Sequence, residues 1–341
     1  MQESVRIRGG RSAIAVAGGE WPAGGWPDRV PLDTASSLPR PWSADEVAAH
    51  PGFGQVLRRF STAMLATQTE NVRLVFRDAG SVAGTAMLVH LQALGTPRLA
   101  AYRRACADGR LLSSGRSYVW ARILEKRGLL TLTPDSQRVG GLCFAATPAL
   151  LSLWRHWLRP ALMSASLLEP AAGTVARRLD SAETVFTLAR LLRPGFVFST
   201  ESDCAPTTWT EVVLHSFGGI QLTWKILAES PAGEEPGCSP LPLSLTAMSA
   251  SFGPSRIHFR RMIAAGRAAG LMERTDEGFL LTQAARRQLR GICADSFAHL
   301  LNAALSTEGQ LPGQSGLQKL PIADHAGPCV GDWLAPRRPA A

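Results

Sequence analysis

The basic side chains of this chain fall into two clusters, and their type suits one kind of chemistry. Residues 98–138 hold nine basic and three acidic side chains, and residues 254–290 hold eight and three. These two windows exceed the formal net charge of the whole chain, +9, so the remainder is close to neutral. Of the 36 basic residues, 33 are arginine; the lysines are Lys126, Lys225 and Lys319. A guanidinium is a planar fork of donors that matches phosphate oxygens or the O6 and N7 edge of guanine. With a pI near 9.9, the clusters favour a polyanionic partner. A GC-rich genome raises arginine, alanine, glycine and proline together, so the clustering carries more weight than the total.

Other chemistries find little support. The chain has no G-x-x-x-x-G-K-[ST], no strand-linked G-x-G-x-x-G, no H-E-x-x-H and no G-x-S-x-G, so no enzyme is expected. Ser114-Gly-Arg-Ser and Gly253-Pro-Ser-Arg pair serine with glycine, but they stand at helix starts, where capping accounts for them. The cysteines (Cys106, Cys143, Cys204, Cys238, Cys293 and Cys329) form no C-x-x-C pair and lie at no metal-ligand spacing from a histidine. Neither a metal nor another cofactor nor a disulfide framework is expected. His90, His156, His215 and His299 read as ordinary helix residues, and Trp154, Trp157, Trp209 and Trp224 as buried core.

The length of 341 residues, with 45% hydrophobic and 18% charged, suits two domains or one large one with a sizeable core. No run approaches the roughly 20 apolar residues of a spanning helix. The start, Met1-Gln-Glu-Ser-Val-Arg, lacks a secretory layout, and a cytoplasmic protein without a membrane partner is expected.

The elements that would position the arginines are mostly helical. Ser43-Ala-Asp-Glu opens a helix, and helical periodicity follows over 53–65, 72–94, 148–168, 177–192 and 209–227. Residues 1–42 and 306–341, rich in glycine and proline, read as a flexible arm and tail; Trp21, Trp26 and Trp333 in them suggest local docking. An internal repeat organises the middle. Gly84-Thr-Ala-Met-Leu-Val-His-Leu matches the apolar positions of Gly219-Ile-Gln-Leu-Thr-Trp-Lys-Ile at an offset of 135. Arg122-Ile-Leu-Glu-Lys-Arg-Gly-Leu-Leu parallels the segment starting at Ile263 at an offset of 142, the difference fitting the proline-rich stretch 230–240.

Two modules result, 43–170 and 171–305, each reading helix, helix, turn, helix, hairpin. In the first, helices at 96–107 and 114–127 lead to strands at 129–133 and 142–146. In the second, a helix at 243–251 precedes one that opens at Gly253-Pro-Ser, with the proline at an early position, and stops at Gly270. A hairpin over 272–281 has Asp276-Glu-Gly at its tip.

This order is that of a winged helix-turn-helix. Ser117-Tyr-Val-Trp-Ala-Arg-Ile-Leu-Glu-Lys-Arg-Gly-Leu-Leu resembles the recognition helix of MarR-type transcriptional regulators, and Arg274-Thr-Asp-Glu-Gly-Phe-Leu-Leu-Thr-Gln resembles that family's wing running into its Leu-Thr helix start. The resemblance covers most of the chain when both copies count; the fusion of two unlike modules and the long tails depart from the family. It implies a mostly α fold with small β-hairpin wings, a tandem winged helix-turn-helix forming a single-chain pseudo-dimer, with helices over 148–192 supplying the dimer core.

The function it implies is sequence-specific binding of double-stranded DNA by a nucleoid-associated transcriptional regulator. The site would be asymmetric, with two unlike half-sites about one helical turn (~10 bp) apart. On that reading Arg116, Ser117, Tyr118 and Trp120, with Ser255, Arg256, His258 and Arg260, meet base edges. Arg103, Arg122, Lys126, Arg261 and Arg267 meet phosphates, and Arg138 and Arg274 sit on the wings. The alternatives are a replication-initiator or architectural DNA-binding protein with the same modules, and a winged-helix scaffold for protein partners; the retained charge argues against the scaffold. The family's small effectors bind between core and lobes, a pocket that no residue marks here. The tails could engage RNA polymerase or another regulator.

Overall fold

A computed structural model describes residues 40–136, 139–192, 208–231, 234–242 and 244–310. It is mostly helical, with two small antiparallel hairpins, and the described residues from Pro41 to Gln310 form one compact unit. The described helices are α1 (Ala44–Ala49), α2 (Phe53–Ala66), α3 (Glu70–Val75), α4 (Ala79–Ala93), α5 (Leu99–Asp108), α6 (Ser114–Lys126), α7 (Pro148–Ala165), α8 (Pro170–Arg178), α9 (Ala182–Leu191), α10 (Gly219–Glu229), α11 (Leu245–Phe252), α12 (Arg256–Ala268) and α13 (Gln283–Gln310). Strands β1 (Leu130–Pro134) and β2 (Leu142–Ala146) form the first hairpin, β3 (Met272–Thr275) and β4 (Gly278–Leu281) the second. No described helix is long and apolar enough to cross a membrane.

Local chemistry sets the boundaries. Ser43 and Glu46 form a reciprocal capping box at the start of α1. The stretch read as one helix over 72–94 is two, because Asp78 leaves helical geometry to cap α4, its Oδ1 accepting from the Ser81 amide at 2.8 Å. The stretch 177–192 likewise divides at Leu179–Ser181 into α8 and α9. The stretch 209–227 divides where a π-helical turn, Thr210–Leu214, gives way to Gly218 with φ +83°. In each case the sequence kept its apolar period through a break that a short polar residue or a left-handed glycine makes. Helix α4 is buried on all sides from Ala79 to Leu91, the central element of the first half. Its Gly84 admits the close approach of Leu112, Tyr102 and Trp120; a Cβ there would meet Leu112 Cδ1 at 2.6 Å.

The two helix–helix–hairpin–helix segments repeat each other closely. Helices α6 and α12 are each 13 residues long and stand 142 residues apart. Each begins at a capping serine: Ser113 accepts from the Arg116 amide and Ser255 from the His258 amide. Each stops at a glycine with positive φ, Gly128 at +68° and Gly270 at +69°, geometry that a side chain would strain. The helix after each hairpin is tied back to that stop: the Thr147 hydroxyl donates to the Gly128 carbonyl and the Thr282 hydroxyl to the Gly270 carbonyl, both at 2.8 Å. A bridge from the segment before the first helix extends each hairpin, Arg98 to Cys143 and Leu241 to Phe279. In the second copy the helix begins at Arg256, so Pro254 precedes its cap and does not occupy the first turn.

The halves are interleaved. Helix α1 packs against α13, α2 against α10, α9 against α4, and α8 against both α7 and α13. Rings cross the same seam: Phe53 and Phe60 meet Phe297 at 5.9 and 5.8 Å, and Phe60 and Phe76 meet Trp224 at 6.1 and 5.6 Å. Trp154, Trp157, Trp209 and Trp224 are all buried core. The arm expected over 1–42 lies largely outside the described residues, with Trp21 and Trp26; so does Trp333. Trp42 is docked, its amide donating to Asn302 Oδ1 at 2.8 Å and its carbonyl accepting from Asn302 Nδ2 at 2.9 Å. Helix α13 runs through Gln310, into the stretch read as tail.

His90 closes the contact between α4 and α9, its Nδ1 2.9 Å from the Ala189 carbonyl. Burial pushes its imidazole below the usual histidine value, and the hydrogen bond to Ala189 opposes this only in part. A lowered folded-state value means that the unfolded chain takes up a proton first. Stability should therefore fall as pH drops below about 6.5, until the folded-state value is passed. Thermal melts at pH 7.5 and 5.5 should show this loss in the parent protein and a smaller one in His90→Gln. An equal loss in both would exclude His90 as its source.

Candidate nucleic-acid interface

The helical period decides which residues of α6 and α12 can be reached from outside. On α6 the inner face is Ser117, Trp120, Ala121 and Leu124; on α12 it is Phe259, Met262, Ile263 and Gly266, the same four places 142 residues on. Ser117 and Trp120, expected to read bases, are therefore core residues, at 0% and 3% exposure. The Ser117 hydroxyl donates to the Ser114 carbonyl at 3.0 Å. The Trp120 indole donates to Thr85 Oγ1 at 3.1 Å, and the Arg77 guanidinium lies 4.9 Å above its ring. Arg77 also holds Asp78 Oδ2 and Ser81 Oγ at 3.1 and 3.0 Å, so one arginine joins the start of α4 to the underside of α6. Comparing the copies at the 142 offset marks this inner face, because Ser117 and Trp120 then stand opposite Phe259 and Met262.

The outer face of α6 presents Arg116, Tyr118, Val119, Arg122 and Lys126, all exposed. Arg103 crosses from α5: its Nε donates to the Ser114 carbonyl at 3.2 Å and its guanidinium lies 5.7 Å from the Tyr118 ring centroid. Arg122 is paired within its own helix, with Glu125 at 2.8 Å, which leaves it less available for phosphate. The outer face of α12 presents Arg256, Ile257, Arg260, Arg261 and Arg267 and no acidic side chain. None of these four guanidinium groups makes a hydrogen bond or ion pair among the described residues. Ser255 spends its hydroxyl on the helix cap. His258 is half-buried against the Phe217 ring, 6.0 Å away.

The wings differ from each other. Seven residues separate β1 from β2 and two separate β3 from β4. In the first wing, Asp135 is buried and paired with Arg98 at 3.4 Å, which anchors the hairpin to the start of α5. Val139 at its tip is fully exposed, and Arg138 lies outside the described residues. In the second, Arg274 is exposed on β3 beside Glu273, and Asp276 and Glu277 form the tip. Arg267 and Arg274 line one groove between α12 and β3 together with Glu273.

No family model matches the chain, and no curated protein and no solved structure resembles it at a significant level. The distinguishing feature of the chain is its arrangement: two outward helix faces of equal length on one compact core, each beside a hairpin.

Sequence reading missed the exposed apolar residues Val119 and Ile257, at 55% and 60% exposure, because apolar residues in a helix are assigned to the core by default. It also missed that two expected base readers hold the helix in place from below.

Proposed function

We propose that this chain is a transcriptional regulator that binds double-stranded DNA through two unlike winged-helix modules of the MarR type, joined as a single-chain pseudo-dimer. The observation that carries this is the repeated pair α6 and α12, identically capped and stopped, each with an outward basic face beside a hairpin. A helix fits the major groove, and a hairpin reaches the neighbouring backbone or minor groove. The interleaved core supports a pseudo-dimer, since it fixes the two outward helices relative to each other. Unlike outward residues on the two helices support an asymmetric site. The reading assigns no catalytic residue.

The test is selection of sheared genomic DNA by the full-length protein at about 150 mM salt, read by sequencing. A few promoters sharing a two-part asymmetric motif are expected. Each phosphate neutralised adds about −0.9 to the slope of log affinity against log salt. Arg267→Ala should therefore make the slope shallower by about one unit and leave the motif unchanged. Uniform, salt-sensitive recovery without a motif would point instead to an architectural protein, and no recovery would defeat the reading.

A further inference from the structure

Helices of equal length and equal caps allow the two readers to be compared place by place, and the comparison is informative at the middle of the outward face. Tyr118 of α6 stands where α12 has Arg260, and Val119 where α12 has Arg261. All four side chains are exposed, Tyr118 at 40% and Val119 at 55%. A second difference reinforces the first. Glu125 of α6, which neutralises Arg122, stands where α12 has the unpaired Arg267. The α6 face is thus apolar at its centre, with Arg103 held against the Tyr118 ring, while the α12 face is cationic at the same two places, its exposed apolar residue Ile257 standing in the first turn instead.

Resting on the DNA-binding reading above, we propose that the two half-sites are read by different chemistry. Tyr118 and Val119 read thymine through its C5-methyl group, and Arg260 and Arg261 read guanine through O6 and N7. In the major groove the thymine methyl is the apolar feature, and it accepts contact from an aliphatic or aromatic side chain. A guanidinium placed there would find no acceptor pair, whereas guanine offers two acceptors at the spacing of its fork. Val119 leaves about half of its surface in water. Contact with a methyl group removes both surfaces from water.

The experiment uses the full chain and duplexes drawn from a random library by the protein itself. Expected is a motif with a thymine-containing half and a guanine-containing half. Replacing thymine by deoxyuridine deletes only the methyl group, and should weaken binding about fourfold per contacted methyl in the first half. Replacing guanine by 7-deazaguanine deletes only N7, and should weaken binding about tenfold in the second half. The double variant Tyr118→Ser, Val119→Ser should abolish the deoxyuridine effect and leave the 7-deazaguanine effect; the double variant Arg260→Ala, Arg261→Ala should do the reverse. The base analogues test the contacts on unaltered protein, so a variant that folds poorly does not decide the result. A selected motif with two like halves, or base-analogue effects that neither variant alters, would overturn the assignment while leaving DNA binding intact. Failure to enrich any motif would defeat the DNA-binding reading itself.

Discussion

Trp120→Ala should lower stability by about 3–5 kcal/mol, the range for removing a buried tryptophan or phenylalanine, and Tm by roughly 10 °C. The indole is 3% exposed and fills the space between α6 and α4. Gly84 is its floor, Arg77 its roof, and Thr85 accepts its N–H. Truncation leaves a cavity bordered by Gly84, which has no side chain to move into it, so the site collapses only in part. The Thr85 hydroxyl keeps a partner after the change because it donates to the Ser81 carbonyl at 2.8 Å. Most of the cost is therefore packing. Trp120→Phe separates the terms: it keeps most of the apolar volume and loses the hydrogen bond, at about 1–2 kcal/mol. Under the proposed function, DNA affinity should decline only as α6 loosens, and Trp120→Phe should bind nearly as well as the parent at 20 °C. Thermal melts and binding titrations on the same preparations check this. A Trp120→Ala protein that melts like the parent would exclude this packing role.

That example shows what in the fold was legible in the residues and what was not. The capped starts at Ser43, Thr147 and Thr282, the stops at Gly128 and Gly270, and both hairpins are local signals, fixed by hydrogen bonds within a few residues or by one backbone angle. They appear where the sequence indicates. The breaks at Asp78 and Gly218 were less legible, because apolar periodicity continues through them and only the packed neighbours require the turn. Arg77 is the clearest case: its carbonyl accepts from the Gly218 amide at 2.6 Å while its guanidinium covers Trp120, two roles set by residues over 40 positions away. The basic faces were legible as charge clusters. Which member of each cluster faces outward was not, until the second copy supplied the register.

Cutting the chain between the modules should destroy the fold of both. Expressed alone, residues 41–168 would lack α8, α10 and α13, the partners of α7, α2 and α1; residues 169–310 would lack α1, α2 and α4. Five rings that meet across the seam, Phe53, Phe60, Phe76, Trp224 and Phe297, would lose their partners on its other side. At about 1.5–3 kcal/mol for each buried side chain, their loss is on the order of 10 kcal/mol. That equals the whole stability of a typical domain, roughly 5–15 kcal/mol. Neither fragment should show a cooperative melt by circular dichroism. An equimolar mixture should regain one, with a Tm that rises with concentration, because the seam has become a bimolecular contact. A cooperative melt from either fragment alone would sink the prediction. It would also change the picture of recognition. Under the proposed function, two independently folded readers on a linker would tolerate variable half-site spacing, whereas readers mounted on one shared core would require a fixed one.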